Sequence, residues 1–227
     1  MDWFPLYNSL RIAFISTIIT FFTGILAAYY IARVPRALKG ALDCLLTLPM
    51  VLPPTVVGFF LLRLLGPRGT IGQYLLSWWN LRITMTWYAA IFATTFVTFP
   101  LMYRTARGAF ESFDRNLLYA GRTLGLSNPY LFWRVLLPGC KQGILAGIVL
   151  SFARGLGEYG ATSMVSGYTP GRTATISTTV YQLWRESNDA LAYRWVFINL
   201  IISFAVLLAV NLLEKKNRKG APRRAGS

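Results

Sequence analysis

No charged residue interrupts the chain across residues 12–32, and Arg33, Arg36 and Lys39 follow at once. A helix rises about 1.5 Å per residue, so a run of this length covers the roughly 30 Å hydrocarbon core of a bilayer. Three further runs behave alike: residues 44–62, closed by Arg63 and the turn-forming Gly66-Pro67-Arg68-Gly69; residues 83–103, closed by Arg104 and Arg107; and residues 195–213, closed by Glu214-Lys215-Lys216. A fifth is less clean. Residues 142–153 are apolar but short, and the pattern resumes at Tyr159 after Arg154 and Glu158. The reading is one helix over 141–165 with a charged pair inside it. Residues 173–184 are also uncharged but about half the required length; a re-entrant or surface helix is expected there, not a span.

Composition excludes most soluble functions. The 227 residues are 55% hydrophobic and only 14% charged, against about 25% charged in ordinary soluble domains. There is no histidine, so Ser-His-Asp catalysis and His-ligated metal sites are ruled out. Cys44 and Cys140 are too few for a disulfide framework or thiolate cluster. The net charge of +15 would fit nucleic acid if it lay on one polar face. Here long neutral runs separate the basic clusters, the pattern of a membrane protein with its charges in loops. No Gly-x-x-x-x-Gly-Lys-Ser/Thr is present, so ATP, if used, is bound elsewhere.

The expected fold is therefore an all-α integral membrane protein of about five transmembrane helices, at about 12–33, 44–65, 83–105, 141–165 and 195–213. They form a single domain over 1–213, followed by a basic tail over 214–227. With the N-terminus outside, 15 of the 23 Lys and Arg residues fall inside, which the positive-inside rule favours. The first run exceeds a signal-peptide h-region and lacks a clear cleavage site, so it is expected to remain as a span. Five spans cannot divide into two equal inverted repeats, and a second copy is the simplest way to complete a pore.

The longest inside loop, 108–138, carries the clearest local signals. Leu117, Ala120, Gly121 and Leu124 recur at helical spacing, and Gly125 suits the helix end. Ser127 or Asn128 can cap a second helix, with Pro129 in its first turn. The product is a helix–turn–helix, apolar on one side and basic on the other. It either rests on lipid headgroups or docks a cytoplasmic partner.

Two other segments stand out. Pro49, Pro53 and Pro54 each remove a backbone donor within one run, freeing carbonyls that protein or a wet cavity must satisfy. This is a static kink or a broken helix beside a transport pathway. Thr55 can offer its hydroxyl to a passing solute, or to its own i−4 carbonyl. Arg154 and Glu158 lie one turn apart, and a charge at mid-bilayer costs about 2.5–3.5 kcal/mol. They must compensate each other, face a wet cavity or sit near the interface.

Ala120-Gly121-Arg122-Thr123-Leu124-Gly125, followed thirteen residues later by Pro138, resembles the "EAA" loop of binding-protein-dependent ABC importer permeases. The family's Glu is replaced by Tyr119 and its second Ala by Gly121. Leu48-Pro49-Met50-Val51-Leu52-Pro53-Pro54-Thr55, continuing to Gly58, and Ser151 through Thr162, with Arg154, Gly157, Glu158 and Gly160, resemble signatures of molybdate permeases; sulfate and tungstate permeases are close cousins. So does the outer-loop stretch from Gly167 through Pro170, Gly171 and Arg172 to Ile176.

The resemblance, over about residues 8–213, implies a type I ABC importer permease fold in the cell membrane. It implies two copies, two cytoplasmic ABC ATPase subunits docked on Tyr119, Ala120, Gly121, Arg122, Leu124, Gly125, Pro129 and Pro138, and an extracytoplasmic oxyanion-binding protein. It places Pro49, Pro53, Pro54, Thr55, Gly58, Arg154 and Glu158 near the pathway. No cofactor or metal is expected in this chain, ATP and Mg belonging to the partner ATPase, and no nucleic acid or covalent chemistry is implied. An ion-coupled secondary transporter is the alternative class, disfavoured because Glu158 is the only acid within a span.

Overall fold

The computed structural model describes residues 2–219, with the side chains of 36, 37 and 209–219 left undescribed. The basic side chains of the tail therefore lie outside the described residues. Eleven helices follow one another: α1 (Phe4–Ile31), α2 (Arg36–Val51), α3 (Pro54–Leu65), α4 (Thr70–Trp79), α5 (Trp87–Glu111), α6 (Arg115–Thr123), α7 (Asn128–Gly139), α8 (Lys141–Leu156), α9 (Gly160–Ser166), α10 (Ile176–Arg185) and α11 (Asp189–Lys219). No strand occurs among the described residues.

α5 is the axis of the bundle. α1 and α8 pack along it, α2 and α9 lean on it, and α11 closes against α8. Close approach is possible because α5 presents Ala89, Ala90, Ala93 and Ala106, all fully buried. The polarity is inverted relative to a water-soluble bundle. Ser16, Thr20, Thr94, Thr98 and Ser151 are buried, whereas Phe14, Ile18, Phe22 and Leu26 of α1 and Phe197, Ile201 and Phe204 of α11 face outwards. A hydrocarbon solvent produces this arrangement, because it accepts apolar side chains freely and hydrogen-bonds nothing. Several of the buried hydroxyls bond to carbonyls: Thr17 to Ala13 at 2.7 Å, Thr20 to Ser16 at 2.6 Å and Thr98 to Thr94 at 2.8 Å.

α1 and the first twenty residues of α11 are long and apolar enough to cross a bilayer unbroken. Two of the expected single helices are broken. The run around 44–65 is divided into α2 and α3, which meet at 106°. Leu52 is extended (ψ 141°) because Pro53 clashes with a helical predecessor, and Pro54 then opens α3. The proline run is thus a helix break, while Pro49 stays inside α2.

The helix expected over 141–165 is corrected in the same way. α8 ends at Leu156, residues 157–159 are non-helical, and α9 begins anew at Gly160. Its start stands at Lys141 as expected, where α7 runs into α8 across a 75° bend. The uncharged 173–184 segment forms α10, capped by a Thr175–Thr178 capping box and packed against α11 and α1.

The two breaks lie against each other. A Cβ on Gly160 would meet Pro54 Cβ at 2.9 Å, and one on Gly58 would meet Ala161 Cα and Met164 Cβ at 2.8 Å. The α3–α9 crossing therefore requires glycine at both positions. Gly58→Val, with a branched Cβ that cannot turn away, should cost about 1–3 kcal/mol through overpacking. The purified variant is expected to melt several degrees below the parent in the same detergent; an unchanged Tm would mean that α3 and α9 do not cross here.

Candidate functional site

The segment between α5 and α8 folds as its local chemistry dictates. Asp114 caps α6 by accepting from the Asn116 amide at 3.0 Å. α6 ends in a Schellman turn: Leu126 N–H donates to Gly121 O at 3.1 Å and Gly125 N–H to Arg122 O at 2.9 Å. Gly125 takes φ +78°, which explains its residue type. Ser127 then caps α7, accepting from Tyr130 N at 3.4 Å, with Pro129 in the first turn. α7 contains a π-helical stretch, Phe132–Leu136, just ahead of Pro138.

Gly121 is buried beneath Leu131, and Arg122 Nε donates to Asn128 Oδ1 at 3.2 Å, so the two helices form one unit. Its outer face is apolar: Leu117, Tyr119, Leu124, Tyr130 and Trp133 are all at least half exposed, Leu124 at 79%. Ala120 is exposed among them. Large apolar side chains gathered on one polar-rimmed element mark an interaction surface.

The second constellation forms where α3 meets α9. Glu158 is in the break, not in a helix, and its side chain is 1% exposed. Oε1 accepts from the Ala161 amide at 2.9 Å, so the carboxylate satisfies a donor at the start of α9. Oε2 lies 2.7 Å from Arg154 Nη1, an ionic contact without aligned hydrogen-bond geometry. Of the three roles open to this pair, mutual compensation is the one observed, with Arg154 reaching outwards at 37% exposure.

Pro54, Thr55 and Gly58 adjoin the same place through Gly160 and Ala161. Thr55 is exposed and its hydroxyl makes no bond to an i−4 carbonyl among the described residues. Pro53 is exposed at the bend, while Pro49 faces an apolar cavity of about 620 Å³ with Leu52, Phe60 and Phe96. The structure thus brings Pro54, Thr55, Gly58, Arg154 and Glu158 together, and holds the α6–α7 residues apart as a separate surface.

Sequence reasoning missed a charge relay at the α6–α7 end of the bundle. Lys39 Nζ lies 2.6 Å from Glu111 Oε1, which also receives Arg107 Nε at 2.9 Å. Arg107 pairs in turn with Asp43, which accepts from the buried Tyr103 hydroxyl. The relay ties α2 to the end of α5. On the other side Cys140 Sγ donates to Ala109 O at 3.3 Å, joining α5 to the start of α8. The Arg107–Glu111 i,i+4 spacing was the available signal; Lys39 and Asp43 are too distant in sequence to be read.

The family of binding-protein-dependent transport system inner membrane components matches residues 20–219. The chain belongs to this family. The molybdenum transport system permease protein ModB of Escherichia coli (strain K12) is 36% identical over 98% of this chain and 97% of its own length. The sulfate transport system permease protein CysW of Synechocystis sp. (strain PCC 6803) is 31% identical over 85% of this chain and 70% of its own. A crystal structure of bacterial alginate ABC transporter in complex with alginate pentasaccharide-bound periplasmic protein contains a chain with the same fold. Its TM-score is 0.74 at 19% identity, covering 92% of this chain and 77% of that one. In this family member, then, the fold carries two distinct features, an exposed apolar helix–turn–helix and a pair of abutting helix breaks.

Two predictions follow from the charges. Glu158→Gln keeps an acceptor for the Ala161 amide but loses the ionic contact, and Glu158→Ala loses both. Hydrogen bonds to charged groups contribute about 1.5–3 kcal/mol, so Tm should fall in the order parent, Gln, Ala; equal values for Gln and Ala would remove the capping role. At Glu111, the hydrogen bond from Lys39 is the main influence and, with Arg107, outweighs burial, holding the carboxyl below its ordinary range. A lowered folded-state value means stability that is present above the ordinary carboxylate range and lost as pH falls through the lowered one. The Tm difference between parent and Glu111→Gln should therefore be positive near neutrality and shrink below about pH 4; a difference independent of pH would count against the relay.

Proposed function

We propose that this chain is the membrane-spanning permease subunit of a type I ABC importer for a tetrahedral oxyanion, with molybdate the leading candidate. The observation that carries the reading is the α6–α7 unit. It presents an exposed apolar face, ending in the Gly125 turn, at the position where the family's motif occurs. On this reading the unit is the coupling element, and Tyr119, Ala120, Arg122, Leu124 and Gly125 enter a groove on a cytoplasmic ATPase subunit. Tyr119 stands where the family has Glu, so docking rests on shape, apolar contact and Arg122.

Two copies pair across the membrane, with the N-termini outside and the tails in the cytoplasm, and an extracytoplasmic binding protein delivers the anion. About five spans make up the single 1–213 domain. ATP-driven closure of the ATPases draws the coupling elements together and turns the cavity outwards, and product release resets it, alternating access by rigid-body motion. ATP and Mg belong to the ATPase, and the chain itself does no covalent chemistry. α7 leads directly into α8, so motion of the unit reaches the Arg154–Glu158 break, where Pro54, Thr55 and Gly58 adjoin the proposed pathway.

Molybdate is supported by the 36% identity to ModB across nearly the whole of both chains. The sulfate relative supports sulfate as the second reading; a tungstate importer shares the same chemistry. Proteoliposomes holding this permease with its ATPase and binding protein should take up molybdate only with all three components and ATP, and excess sulfate should compete weakly. Gly125→Asp should abolish uptake while the assembled complex still hydrolyses ATP. Normal uptake by that variant would misplace the coupling element, and uptake driven by an ion gradient without ATP would overturn the importer class.

A further inference from the structure

We propose that a cleft between α6 and the bundle is a binding site for the phosphate headgroup of an anionic phospholipid. The cleft encloses about 330 Å³. Phe110, Leu118 and Leu136 form an apolar floor, and Arg33, Arg115 and Arg122 stand around it. None of the three arginines is in an ion pair among the described residues. The nearby carboxylates are already engaged, Glu111 by Lys39 and Arg107, and Asp114 by the Asn116 amide.

Two of the guanidinium groups are held in place. Arg33 sits over the Tyr29 ring, its Cζ 3.8 Å from the centroid, and also donates to the Tyr29 hydroxyl. Arg122 is fixed by Asn128 and lies 5.9 Å from the Tyr119 ring. Unpaired guanidinium groups around one cleft are a ready-made phosphate site, because the planar fork matches phosphate oxygens.

The apolar floor and the level of the cleft along α1 favour a lipid over a soluble anion. Arg33 directly follows the uncharged run 12–32, which α1 and its C-cap Ala32 make up, so it marks the level at which hydrocarbon gives way to headgroups. A basic pocket between helices at that level takes anionic headgroups, with acyl chains left in the bilayer beside it. The inference rests on the chain being a membrane permease and does not require the ATPase to dock on α6.

The test uses the purified full-length chain in uncharged detergent and reads its Tm. Phosphatidylglycerol should raise Tm by several degrees, and equal amounts of phosphatidylcholine or inorganic phosphate should not. The Arg33→Gln/Arg115→Gln/Arg122→Gln variant should lose most of the shift, while the charge-matched Lys215→Gln/Lys216→Gln/Arg218→Gln variant keeps it. Should the triple cleft variant not fold, Arg115→Gln, which removes no side-chain hydrogen bond, should weaken the apparent phosphatidylglycerol affinity about fivefold. The proposal fails if the cleft variants retain the full shift, if phosphatidylcholine matches phosphatidylglycerol, or if inorganic phosphate alone reproduces the effect. Failure of ATPase docking would leave the lipid shift intact, so the two readings are separable.

Discussion

Hydrocarbon offers no hydrogen bonds, and the rest of the structure follows from that constraint. Side chains that water would keep outside are drawn in: Ser16, Thr20, Thr94, Thr98 and Ser151 line the helix contacts, and the hydroxyls of Ser16, Thr20 and Thr98 find carbonyls or one another. Where a helix must bend, the freed backbone has to be satisfied by protein. At the 157–159 break the Glu158 carboxylate meets the start of α9 directly. At the 52–53 break the missing donors are those of proline itself, so fewer groups are left wanting. Placing the two breaks against each other, with glycine at both contacts, collects the irregular backbone in one protein-lined place.

Hydropathy located the helices but not their bends. Uncharged runs found α1, α5 and α11 because length and polarity decide whether a segment partitions into lipid. They missed the 75° and 106° corners because a bend leaves mean hydropathy unchanged. Residues 157–159 are instructive. The i,i+4 spacing of Arg154 and Glu158 reads as a helical pair, and the pair does form. Yet the backbone between them has left the helix, and the same carboxylate holds the exit in place by capping α9. A contact predicted from periodicity survived the failure of the periodicity.

Legibility at the α6–α7 unit divides by sequence distance. Gly125, Ser127 and Pro129 act within a few residues, through a left-handed turn, a cap and a fixed φ, so their roles can be read locally. The relay from Lys39 to Asp43 joins groups 60 to 72 residues apart. Nothing in a single sequence pairs them, because the pairing depends on which face α2 turns towards α5. The apolar cavity around Pro49 was equally hidden, since the prolines mark the bend and not what the bend encloses.

The chain has 8 acidic residues against 23 basic ones, and several of the acids have structural tasks. Asp2 and Asp114 cap helices, Asp43 and Glu111 tie α2 to α5, and Glu158 secures the break before α9. With Tyr119 beside Leu117, the outer face of α6 presents large apolar side chains and no acid. An acid at that position would lie close to Arg122, whose Cζ is 5.9 Å from the Tyr119 ring, and would draw the guanidinium away from Asn128 and the cleft. With tyrosine there, Arg122 braces α6 on α7 through Asn128 while lining the cleft. A single helix thus serves both its surroundings: Leu117 and Leu124 are turned outwards, Arg115 and Arg122 line the cleft, and Tyr119 is exposed at the cleft's edge.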